Sequence, residues 1–435
     1  MSLRRPLASP GAPRRSSLVS ALAALALALA AGGAASAGCS NKGGGGSGGS
    51  GGSGAGGGGL PSPTSSSGTD ATSTSTGTGG SGGSTAIVGS GGSSSMGTGG
   101  AGGGGGTGGG CVGPIPPDAN GTPAMDLADT GLYTDIANGV ISPDVQAYAP
   151  QFTLWADGAG KNRWAYIPPC AKIDNTNEDH WVFPVGTRFW KEFAVDTGGP
   201  TPLKIETRMI EHYALGPQAW LFVTYAWTAD GTDATLVPDG MEIDDALGTE
   251  HDIPTTPGQC RTCHGANEID RVNGFSAIQL SGAATGLDMA ALSQQGLLLH
   301  PHPQGYTVPG DATAQAALGY LHANCGHCHN DYGMAPNGLF MRLSVADTDV
   351  TATQAYVTGV NVPVANYSHP GITFRIQGQD ATDSCVHFRM SQRGDPHVVP
   401  YQNSPDQMPP FATKEPDPDG LAAIAAWIDS LPAPP

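Results

Sequence analysis

Asp311-Ala312-Thr313-Ala314-Gln315-Ala316-Ala317-Leu318-Gly319-Tyr320-Leu321 runs by way of Asn324 into Cys325-Gly326-His327-Cys328-His329. Asp311 is a good N-cap residue, the Ala-rich stretch after it is a strong helix former, and Leu318 and Leu321 share a face. Gly319 works against that helix. The spacing predicts a helix that feeds directly into a C-x-x-C-H pentad. Near the other end, Asp417 caps a second predicted helix, in which Leu421, Ile424, Trp427, Ile428 and Leu431 make one apolar face before Pro432 stops it. Two such helices enclose the segment 311–435, which is expected to be mainly α-helical.

The pentad occurs twice, the other copy being Cys260-Arg261-Thr262-Cys263-His264. C-x-x-C-H reads as attachment of a c-type haem. Two thiols add across the two vinyl groups of one haem, the two intervening residues set their separation, and the adjacent His supplies the proximal iron ligand. A zinc site built from both Cys pairs fits poorly, because 61 residues stand between Cys263 and Cys325 where about 15–20 are usual. A thioredoxin-like redox pair needs a βαβ setting, and none is legible. Two covalent haems are expected, on Cys260, Cys263, Cys325 and Cys328, with His264 and His329 on the irons.

The second pentad has more of a frame than the first. Met408-Pro409-Pro410 lies on an irregular loop before the terminal helix, where prolines restrict the backbone and remove amide donors. Met408 is the expected distal ligand of the second haem, with Met334, Met341 and Met390 as alternatives. His and Met ligation raises a haem potential relative to two His ligands. The first pentad follows a Pro-rich loop without a helix ahead of it. Its sixth ligand is left open between Met289, His300, His302 and none, and an open position would admit peroxide chemistry. His322 and His327 read as polar surface residues.

Residues 111–255 read as an antiparallel β-rich domain, and 256–310 as the segment of the first haem. Six of the seven Trp fall in 131–250. Phe189, Phe193 and Val195 alternate with Arg188 and Glu192, and Ile205, Thr207 and Met209 with Lys204, Glu206 and Arg208. Ala219–Trp227 is an apolar strand, and Asp230-Gly231 is a turn before Ala234–Val237. Asp157, Glu192, Glu206 and Glu211 are expected to face solvent. Of the cysteines outside the pentads, Cys111 and Cys170 are the favoured disulfide, with Cys385 the other candidate.

The N-terminus reads as an address. Arg4, Arg5, Arg14 and Arg15 precede an Ala/Leu run at 21–31, too short to span a bilayer, and Ala35-Ser36-Ala37 suits signal peptidase. Ser36-Ala37-Gly38-Cys39 also resembles a lipobox, although Ser36 stands where Leu is usual. The reading is a signal peptide over 1–39 with lipidation at Cys39. Residues 40–110 are almost all Gly, Ser, Thr and Ala, so they bury too little apolar surface to offset ordering entropy. Such a tether averages roughly 45 Å end to end, and its position just after a Cys favours a membrane-hung protein. The whole chain has 435 residues with net charge −18, from 37 acidic and 19 basic side chains. That balance speaks against nucleic acid as a partner.

Several segments are familiar in their order: Phe183-Pro184-Val185-Gly186-Thr187, Ile205-Glu206-Thr207-Arg208, Thr224-Tyr225-Ala226-Trp227, Thr232-Asp233-Ala234, and Asn324-Cys325 to His329-Asn330. Together they resemble a family of exported bacterial diheme c-type cytochromes, often lipoproteins, over about residues 148–431. The resemblance implies an α+β chain, an antiparallel β half before a cytochrome c-like domain. It also implies haem at both pentads and electron acceptance, as in relatives found beside quinoprotein sugar dehydrogenases. The expected function is periplasmic or surface-anchored electron transfer, with a dehydrogenase or another cytochrome as redox partner. Two other classes remain open: a peroxidase-like diheme enzyme with one open haem, and a surface-anchored module whose β domain binds a carbohydrate or protein.

Overall fold

A computed structural model describes residues 119–435 except 217, 244–250, 266–271, 334, 336–337 and 396–402. The export signal with Cys39, the segment 40–110, Cys111 and Met334 lie outside the described residues.

A short hairpin, β1 (Tyr133–Asp135) and β2 (Val140–Ile141), opens the described chain. β3 (Gln146–Ala149), β4 (Gly160–Tyr166), β5 (Arg188–Val195), β6 (Leu203–His212), β7 (Trp220–Trp227) and β8 (Ala234–Leu236) then build an antiparallel meander. β9 (Met241–Ile243) and β10 (His251–Ile253) form a second hairpin, and the short helix α1 (Gly258–Cys263) contains the first pair of cysteines. β11 (Thr285–Gly286) returns to pair with β3 and completes a seven-stranded sheet in the order β11-β3-β4-β5-β6-β7-β8. α2 (Met289–Gln294), α3 (Ala312–Asn324), α4 (Gln354–Gly359), α5 (Cys385–Ser391) and α6 (Pro418–Ser430) follow. The architecture is α+β, as the patterning implied. Among the described residues no helix is long and apolar enough to cross a membrane.

Both expected caps form. Asp311 accepts the Ala314 amide at 2.9 Å, and Asp417 accepts the amides of Asp419 and Gly420 at 3.1 and 3.0 Å. α3 packs against α6, where Leu318, Leu321, Ile424, Trp427 and Ile428 are all buried. Each such side chain contributes about 1.5–3 kcal/mol of burial. Gly319 has a packing reason, since a Cβ there would collide with the ring of Phe152.

The sheet departs from the expectation of one wet face. Tyr166, Trp190, Met209, Val223 and Tyr225 are buried with Leu127 and Leu132 on one side. On the other, Phe189 and Phe222 are buried with Phe275, Leu280, Met289 and Leu298. Three of the four carboxylates expected in solvent are therefore buried: Glu192, Glu206 and Glu211 are 2 %, 0 % and 0 % exposed. Each is tolerated because it has partners. Glu192 accepts from the Tyr133 hydroxyl at 2.9 Å and Asn162 at 3.1 Å, and Glu211 pairs with buried Arg188 at 3.0 Å. Glu206 bonds Arg208 and His251. Asp157, the fourth, is half-buried and accepts the backbone amides of Lys414 and Glu415 at 3.0 Å each.

Cys170 is disulfide-bonded, while Cys385 is a buried free thiol. Pairing between those two is thus excluded, and the Cys111 half of the expected bridge lies outside the described residues.

Candidate cofactor cavity

The helix α3 carries its hydrogen-bond ladder into the second pentad. The amide of Cys325 donates to Leu321 O at 2.9 Å and that of His329 to Cys325 O at 2.8 Å. Asn324, the residue before the pentad, is buried and ties it to the β3–β4 loop. Its Oδ1 accepts the Trp155 amide at 2.7 Å, and its Nδ2 donates to Thr153 O at 3.1 Å. Trp155 Nε1 in turn donates to Glu415 O at 2.9 Å. A loop from the sheet region thereby holds both the pentad and the chain just after Met408.

His329 is oriented by its Nδ1, which lies 3.1 Å from Leu339 O. A carbonyl only accepts, so Nδ1 carries the proton and Nε2 keeps its lone pair. Burial, working against that hydrogen bond, holds this imidazole below its usual range. The Met408 loop is equally well fixed. The Met408 amide donates to Arg389 O at 2.9 Å, and buried Gln407 donates to Asn403 and Thr413 O.

The first pentad sits on α1, which starts only at Gly258, in line with the missing preceding helix. The His264 amide closes the turn on Cys260 O at 3.0 Å, and Asn273 donates to Cys263 O at 2.8 Å. The His264 ring tilts against Phe222 of β7, with centroids 5.6 Å apart.

Both pentads open onto one cavity of about 230 Å³. It is lined by Cys260, Cys263, His264, Cys325, Cys328 and His329, and by Met390 and Met408. Phe152, Phe189, Phe193 and Phe222 supply apolar wall. A smaller cavity of about 100 Å³ shares Cys325, His329, Met390 and Met408 with it and is also lined by Met341. No family model matches the chain, and neither a curated protein nor a solved structure does.

All four pentad thiols are free and partly buried. Burial alone pushes Cys325 up to about 12. Cys263 is brought well down, first by its hydrogen bond with Cys328 and then, against burial, by His327, and the same bond drives Cys328 up. Sulfur and nitrogen atoms of Cys263, His327 and Cys328 all lie within 4.8 Å of one another. His327, read as surface polarity, belongs instead to the meeting point of the two pentads. His322 also leaves the surface role: its Nδ1 accepts the Leu343 amide at 3.1 Å, and burial lowers it to about 4.

In kind, the donor set suits thioether attachment and iron ligation, although the Cys263–Cys328 hydrogen bond sets one thiol of each pentad side by side. The set holds four free thiols, two neighbouring imidazoles, one of them with a defined tautomer, and two thioethers on the cavity wall. Three proposed ligands of the first haem do not reach the cavity lining. Met289 is packed into the core beside the sheet, His300 holds Asn175 and Thr176, and His302 stacks on Tyr306 at 4.5 Å. A residue that sequence reasoning missed does reach it. His251 of β10 lines the cavity with its Nε2 on Glu206 at 3.1 Å. Its one sequence signal was a His in an alternating segment shortly before the first pentad.

Proposed function

We propose that this chain is an exported diheme c-type cytochrome that transfers electrons, anchored through Cys39 to a membrane and served by a dehydrogenase or another cytochrome. The observation that carries the reading is the convergence of two pentads, 61 residues apart in sequence, on one apolar cavity with all thiols free. Haem, when bound, supplies one-electron exchange at iron. The chain's own part is attachment, orientation and exclusion of water. Cys260, Cys263, Cys325 and Cys328 would tether the two groups, and His264 and His329 would face the irons. The Leu339 carbonyl favours the His329 proton on Nδ1, which leaves the Nε2 lone pair for a metal in the neutral ring. Met408, on a loop pinned by Arg389 and Gln407, is the distal candidate for the second group, with Met390 beside it. The resemblance to exported diheme cytochromes supports the same reading, as does the cytochrome-like pairing of α3 with α6.

One observation favours a second reading. Cys263, His327 and Cys328 form a compact sulfur–imidazole set, suited, once deprotonated, to a soft or borderline ion such as zinc. A pyridine haemochrome assay on the full chain, matured with cytochrome c assembly factors, separates the two. Two covalent haems per chain and a Met-to-iron charge-transfer band support electron transfer. A chain without haem but with one equivalent of zinc replaces it. Two haems with a high-spin signature and rapid peroxide turnover move the assignment to a peroxidase.

A further inference from the structure

The cavity wall that faces the first pentad carries a row of cations that none of the preceding chemistry uses. Arg163 of β4 is in register with Lys191 of β5, and Lys191 with Arg208 of β6. Residues in register share a face of the sheet, and all three line the cavity. Like charges directly opposite one another destabilise a sheet. Arg163 is only 7 % exposed. One carboxylate, Glu206, serves this row, and it is shared between Arg208 and His251. Among the described residues the side chains of Arg163 and Lys191 make neither a hydrogen bond nor an ion pair. Lys191 rests over the Phe193 ring at 5.0 Å. The next position in the row, Thr224, has a buried hydroxyl oxygen without a hydrogen-bond partner. Acidic residues are not scarce: the chain has 37 of them against 19 basic ones. A protein with that surplus nevertheless places, among the described residues, no carboxylate within hydrogen-bond reach of two basic side chains in this row, one of them buried. Burial, then repulsion from Arg208 and Arg163, drives Lys191 well below the usual lysine range.

We propose that Arg163, Lys191 and Arg208 form a carboxylate-binding site on the sheet wall of the cavity, fitted to a ligand with an apolar body and an anionic edge. Phe189, Phe193 and Phe222 flank the row and take the apolar body. The favoured source of the carboxylates is the propionate edge of the first haem, which rests on the function proposed above. A free organic carboxylate has the same chemistry. On this account the β-sheet is the anionic-edge wall of the first haem site, so it is no separate binding module.

The test is a spectroelectrochemical titration of the haem-loaded full chain and of Arg163→Gln, Lys191→Gln and Lys172→Gln, with and without benzoate. Lys172 is exposed and serves as the control for net charge. If propionates occupy the row, Arg163→Gln and Lys191→Gln each lower the potential of one haem, because an uncompensated carboxylate favours ferric iron. Lys172→Gln leaves both potentials in place, and benzoate has no effect. If the row takes a free carboxylate, benzoate shifts one wild-type potential saturably, and the two row variants lose that response. Unchanged potentials in both row variants at full haem content, with no benzoate response, overturn the site. Absence of covalent haem in the wild type sinks the proposed function alone. Calorimetric benzoate binding to the full chain, lost in Lys191→Gln, then still upholds the site, and no binding overturns it.

Discussion

The two pentads share a spacing but not a setting. The second is the continuation of a capped thirteen-residue helix, its histidine is oriented by a backbone carbonyl, and a pinned methionine loop lines the same cavity. The first lies on a six-residue helix, against the face of an antiparallel sheet, among arginine, lysine and a buried Glu–His pair. The second site is prepared by local order and an apolar core. The first is prepared by long-range packing and charge. One spacing therefore sits in two environments, and on the proposed function equal motifs need not give equal haems: a thioether ligand would raise a potential, while the basic row and Glu206 would tune charge on the other side.

The largest effect expected is on haem content. Cys325→Ser with Cys328→Ser, and separately Cys260→Ser with Cys263→Ser, should each halve the pyridine haemochrome yield. The first pair should also lower the unfolding midpoint more, since that pentad continues α3 into the helical core. Equal destabilisation by both pairs would break the contrast. Next comes Met408→Ala, which should abolish the charge-transfer band and lower one potential only, read by redox titration. A shift of both potentials would mean that Met408 serves neither site alone.

The sheet side has its own pH signature. Burial pushes Glu206 up, but Arg208 and His251 outweigh it and hold the carboxyl below its ordinary value of 4.5. A depressed carboxylate stabilises the fold above that ordinary value, and the contribution is lost as pH falls through the folded value. Unfolding free energy should therefore decline on acidification below about pH 4.5, with at most about 1.4 kcal/mol per pH unit from this one group. Glu206→Gln should flatten that limb of a urea denaturation series. The smallest change is Asp311→Ala, which removes the cap of α3 and should cost about 1 kcal/mol, measured by the same denaturation.

How far each region was legible follows from the range of the forces involved. Asp311, Asp417, the Leu318/Leu321 spacing and the turn at Asp230-Gly231 depend on neighbours within a few residues, and all were readable. The exposure of Glu192, Glu206 and Glu211 was misread. Alternation predicts a polar face, and only the arrival of segments around Leu127 and Phe275 covers both sides of the sheet. His251 was missed because its partner, Glu206, lies 45 positions away.

The linear chain was enough to specify the two C-x-x-C-H groups, the helix that enters one of them, the Met408 loop and the α+β order of elements, because covalent spacing and local propensity act along the backbone. Folding alone brought Cys263 beside His327 and Cys328, turned the His329 proton toward Leu339, and set Arg163, Lys191 and Arg208 in one row. Those relations depend on strand register and on burial by sequence-distant segments. Neither quantity is defined until the sheet has formed and its second face is closed.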